Sequence, residues 1–159
     1  MSLQGLWDQY WTQVWNRNHY NGVANDFRKS YEDYSAQLSD AQVELSNAQI
    51  VKTKVDALSG KFSTCQNDMR SLGSAIQTAV DSSDCISVAT NLVSPIESDV
   101  SSAKSKAAVL VQQCQDRVDT LTRQKNDAWD GYQQNLRTSQ SYGSAADRTM
   151  TAINNYHED

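Results

Sequence analysis

Leu3, Leu6, Trp7, Tyr10, Trp11, Val14 and Trp15 recur at helical spacing opposite Gln4, Asp8, Gln9, Thr12, Gln13 and Asn16, which predicts an amphipathic helix with an aromatic face. Asn21-Gly22 is the first candidate break, since this pair favours turns. A second stripe runs through Phe27, Tyr31, Tyr34, Leu38, Ala41, Leu45, Ala48, Val51, Val55 and Leu58, alternating three and four residues as a coiled-coil seam does. Its predicted end is Ser59-Gly60, where Gly suits a helix C-terminus. A third stripe follows at Phe62, Cys65, Met69, Leu72, Ile76 and Val80 and stops at Asp81-Ser82-Ser83-Asp84. Ser94, Pro95 and Glu97 fit a capping box with Pro at the first helical position, so a helix is expected to start there. Its stripe passes Ile96, Val100, Ala103, Ala107, Leu110, Cys114, Val118, Leu121, Ala128, Tyr132, Leu136, Ala146, Met150 and Ile153. Asp127–Gly131 and Gly143 are the places where it would bend. The pattern predicts one all-α domain, residues 1–159: an elongated, coiled-coil-like antiparallel bundle with long arms 3–58 and 95–157 and a middle helix 62–81.

The aromatics sharpen this picture. Every Trp and Tyr lies within residues 7–34 or 129–156, and Phe62 is the only aromatic residue between those blocks. Folding the chain back once brings Trp7, Tyr10, Trp11, Trp15 and Tyr20 opposite Trp129, Tyr132, Tyr142 and Tyr156. Two helices alone cannot enclose so many large rings, and Trp and Tyr dominate binding hot spots. Trp7, Tyr10, Trp11, Trp15, Tyr20, Trp129, Gly131, Tyr132 and Tyr142 are therefore the candidate partner-binding set. The competing expectation is that the Trp face packs on residues 129–156 and on nothing else.

A hydrophobic fraction of 38% with one Pro and six Gly suits a thin bundle, which buries one stripe per helix. The net charge is −5 and no cluster of Lys and Arg tracks a phosphate backbone, which argues against nucleic acid. No window is apolar enough to span a bilayer, and Met1–Tyr10 has no signal-peptide pattern; the expected location is cytoplasmic, or exported without a cleaved signal peptide. The first helix offers only Arg17 against Asp8 on its polar face, unlike the basic helices that lie on membranes. Cys65, Cys85 and Cys114 are odd in number and lack C-x-x-C spacing, so free thiols are expected, with Cys65 and Cys114 on core stripes and Cys85 the most accessible; the alternative is a Cys65–Cys114 disulfide between facing helices. His19 and His157 belong to no ligand or catalytic pattern, and no phosphate loop or nucleophile elbow occurs. Neither enzyme chemistry nor a cofactor or metal is expected.

Trp129-Asp130-Gly131 is a W-x-G tripeptide in a small, acidic, Ser/Gln/Ala-rich helical chain. In these features the protein resembles the W-x-G superfamily of type VII secretion in Gram-positive bacteria, and in particular the small helical partners of LXG effectors. The resemblance implies pairing with an effector's long N-terminal helical domain and a part in its delivery, as a chaperone or targeting factor. Two features depart from the family. There the W-x-G turn sits near the middle of a helical hairpin, whereas Trp129 and Gly131 fall in the final fifth of this chain. The Tyr-x-x-x-Asp/Glu export signature is also absent at Tyr142, which is followed four residues later by Ala146, with Asp147 one place further. The leading expectation is a non-enzymatic partner of another helical chain, either a secreted effector or a second small helical protein. The alternatives are a self-associating coiled-coil component of a phage or secretion assembly, and a membrane-active helical protein.

Overall fold

The computed structural model describes residues 2–80 and 84–156, with all their side chains except those of residues 79, 80, 84–86, 88, 89 and 92. Two helices account for nearly all of it: α1 spans Leu3–Val80 and α2 spans Asp84–Asn154. No strand occurs among the described residues, so the chain is all-α. The expected stop at Asp81–Asp84 falls at residues 81–83, which lie outside the described residues.

Two helices stand where the stripes predict three, and the expected bounds of arms and middle helix change accordingly. α1 continues through Asn21-Gly22 and Ser59-Gly60. The inward-facing residues around the second site are Lys52, Val55, Ser59, Phe62, Gln66 and Met69, at spacings that never lose register. One helical glycine costs only about 0.5–1 kcal/mol relative to Ala, too little to end a helix whose seam continues on both sides. A Cβ at Gly22 or Gly60 would meet nothing within 4 Å. Gly22→Ala and Gly60→Ala should therefore each stabilise the protein by about 0.5–1 kcal/mol in denaturant titrations.

The predicted start at Ser94-Pro95 is also overridden, because α2 begins at Asp84 and carries Pro95 inside it. Packing explains the override: Thr90 and Val93, upstream of the proline, share a cleft with Met69 and Gly73 of α1. Glu97 does not serve its own helix end but accepts a hydrogen bond from Gln66 Nε2 of α1 at 3.1 Å.

The chain forms two compact units, Met1–Ser39 with Asp119–Asp159, and Asp40–Val118. Within each unit the helices run antiparallel, since partners on α2 descend in number as those on α1 rise. In the first unit the core consists of Ala24, Leu38, Leu121, Ala128, Ala146 and Ile153. Two buried hydroxyls belong to it: Ser139 donates to the Arg17 carbonyl and Thr149 to Gln13 Oε1, both at 2.9 Å. In the second unit the buried residues are Ala41, Ala48, Ala107 and Gly73. These buried places of the second unit offer only methyl groups or bare backbone, and Val55, Phe62 and Met69 are half-buried on the same helix.

Several stripe residues turn out to lie off this seam. Val51, Leu58, Leu72, Ile96 and Leu110 are exposed, as is Cys65, while Lys52, Ser59, Gln66 and Gly73 take the adjoining inward places. A purely apolar reading selects the greasier neighbour. The seam tolerates Lys52 because its ammonium is ion-paired with Asp56 at 2.7 Å. That hydrogen bond, with Lys104 nearby, holds the Asp56 carboxyl below its ordinary pKa.

Candidate functional site

The two aromatic blocks meet within the first unit. Tyr20 of α1 stacks on Tyr142 of α2 with ring centroids 5.7 Å apart, and Tyr31 contacts Trp129 at 5.1 Å. Trp129 in turn contacts Tyr132 at 5.3 Å. These pairs fix the antiparallel register and account for much of the ring surface of Tyr20, Tyr132 and Tyr142, which are half-buried.

The N-terminal Trp residues are placed differently. Trp7, Trp11 and Trp15 lie four residues apart, a row that winds from the flank of the seam outward. Trp7 is half-buried and meets Tyr10 edge to face at 5.9 Å; Tyr10 meets Trp11 at 5.2 Å. Trp11 and Trp15 retain 60% and 64% of their surface in solvent. Trp15 stacks flat on His19, rings 2° from parallel, and His19 leans on Tyr20. A continuous ladder thus leads from the exposed Trp15 through His19 and Tyr20 to Tyr142. The sequence reading passed over His19 as a candidate for chemistry; its role here is as a ring in that ladder. Trp129 remains 40% exposed on α2.

The W-x-G tripeptide does not turn the chain, because Trp129–Gly131 lies inside α2, and Gly143 is helical too. The physical need for Gly131 is space. A Cβ there would come within 2.6–2.9 Å of the Phe27 ring, so the bare backbone of α2 forms the floor on which that ring lies. Because Phe27 is itself 36% exposed and its ring can shift, Gly131→Ala should destabilise the fold by only about 1 kcal/mol, the lower end of overpacking costs. With Phe27→Ala the obstacle disappears, and Gly131→Ala should then stabilise by about 0.5–1 kcal/mol, its helix-propensity gain. A sign reversal in this double-mutant cycle, read by denaturant melts, checks the contact.

Chemistry finds little footing elsewhere. Among the described residues no three His, Cys, Asp or Glu side chains group as metal ligands, and no helix is long and apolar enough to cross a membrane. Cys65 and Cys114 are free, but Cys65 is exposed rather than on the core stripe. The Cys85 side chain and His157 lie outside the described residues. A cleft of ≈ 400 Å³ opens in the second unit where Gly73 leaves the seam unfilled; Arg70, Ser94 and Glu97 stand around it. Comparison with family models, with curated proteins and with solved structures returns no match.

Proposed function

We propose that this chain is a non-enzymatic helical partner protein whose Trp7–Trp11–Trp15 row, with Trp129, docks another helical chain. The observation that carries the reading is that Trp11 and Trp15 stay well over half exposed although aromatic partners on α2 are within the same compact unit. A monomer gains nothing from holding two indoles in water. At ~25 cal/mol per Å², covering surfaces of this kind is worth several kcal/mol, and a row spaced at four residues matches the anchors by which one amphipathic helix reads another. The buried small-residue seam supplies a rigid base for that row, so little ordering is required on docking.

The acidic composition and the all-helical fold suit a secreted effector of the LXG type as the partner, with this chain its targeting factor or chaperone. The test is co-expression with the N-terminal helical domain of an LXG-type effector, should one be encoded beside this chain. A stable complex with the wild type, weakened by Trp11→Ala and Trp15→Ala, supports the proposal. Absence of any complex with such a domain removes the secretion reading.

A further inference from the structure

The second unit carries a second apolar seam. In α1, Val51, Leu58, Cys65 and Leu72 each immediately precede an inward residue, namely Lys52, Ser59, Gln66 and Gly73. In α2, Ile96, Ala103 and Leu110 recur at the same seven-residue spacing, each one place before Glu97, which accepts from Gln66 of α1, the exposed Lys104, and the half-buried Val111. Such rows occupy one flank of each helix, and in an antiparallel pair the two flanks lie on the same side. The ion pair Glu44–Arg117, at 2.6 Å, joins the next members of the same two rows and confirms that they adjoin. The opposite flank, one place after the inward residues, reads Gln49, Asp56, Ser63 and Arg70 on α1 and Ser94, Ser101 and Ala108 on α2. Arg70 and Ser94 line one cleft, so that side too is shared. Between Val51 and Leu72 on α1 and Ile96 and Leu110 on α2 this side is therefore apolar, with the Glu44–Arg117 ion pair at one end, and the other side is polar. Leu58 and Leu72 are 60% and 62% exposed and Ile96 is 50% exposed.

This is the three-row pattern of a helix in a multi-helix bundle rather than the two-row pattern of an isolated pair. From this face we infer that the chain is a homodimer in which the Val51–Leu72 and Ile96–Leu110 side of one copy packs on the same side of another, forming a four-helix bundle. A second copy fits for two reasons. The face bears no charge, so an isologous two-fold contact brings no like charges together at its centre. Its edges carry both signs, with Lys54, Lys61 and Asp68 on α1 and Asp99 and Lys106 on α2, all exposed, which supplies the polar rim of a protein interface. The area also suffices: about 30 Å of α1 by the ~20 Å width of two helices covers roughly 600 Å² per chain, near the lower bound of stable interfaces.

Sedimentation equilibrium on the full chain tests the inference. The wild type should show twice the 17.7 kDa chain mass, and Leu58→Glu with Leu72→Glu should return it to the monomer. Both positions are exposed, and an unchanged helical circular dichroism signal verifies that the variant folds. Gln49→Glu with Ser63→Glu, on the polar side, should leave the dimer intact, as should Trp11→Ala with Trp15→Ala. A monomeric wild type throughout the concentration series overturns the inference. So does a dimer that survives Leu58→Glu with Leu72→Glu, or one that only the Trp changes dissolve.

Discussion

Pro95→Ala should stabilise this protein by about 2 kcal/mol. A proline in a helix interior removes one backbone hydrogen bond and crowds the preceding turn, at a cost of about 3 kcal/mol. Its stiffness in the unfolded chain returns up to about 1 kcal/mol, leaving the net gain. For a chain of this size that corresponds to roughly 4–8 °C in melting temperature. Ser94→Ala discriminates the underlying structure. Inside a helix the change is neutral or slightly favourable, whereas a Ser at an N-cap would lose about 1 kcal/mol on truncation. Loss of stability in both variants would mean that a helix starts at Pro95, as the capping signal suggests, and that Asp84–Val93 does not belong to α2.

That conflict shows where sequence and structure part company. The helical class and the antiparallel return were legible because apolar residues kept a period near 3.5 for most of the chain and because the aromatics fell in two terminal blocks. The breaks were not. Gly60, Gly131 and Gly143 read as interruptions from composition alone, yet each sits in a helix held on both sides by seam residues. At Gly131 the glycine answers to the Phe27 ring across the unit, a constraint a single helix does not display. The Ser94–Glu97 box fails for the same reason: Glu97 is claimed by Gln66 of the other helix. Local signals of about 1 kcal/mol yield to packing spread over many residues.

The candidate site was partly legible. Ring contacts join Tyr20 to Tyr142 and Tyr31 to Trp129, pairs that the two-block distribution anticipates in kind. The sequence did not distinguish the rings that hold the helices together from those left in solvent. Trp7 and Trp15 are two helical turns apart in the same row, and only their rotation about the axis separates a half-buried ring from an exposed one. Val51, Leu58, Cys65 and Leu72 were missed as a surface because their hydrophobicity assigns them to the core. Their excess over what a two-helix seam can bury was the available signal.

The central claim is that the exposed indoles exist to be covered by a partner. Its most direct test is a double variant, Trp11→Ala with Trp15→Ala, examined for affinity and melting temperature on the same samples, with the co-expressed helical effector domain as ligand in a titration calorimeter. Exposed side chains contribute little to the fold, so the melting temperature should hold within a few degrees. Affinity should fall by at least about 2 kcal/mol, or roughly thirtyfold in Kd, as for hot-spot indoles. The opposite pattern would contradict the account: a chain that unfolds on losing these indoles, while the fraction that remains folded binds its partner with undiminished affinity.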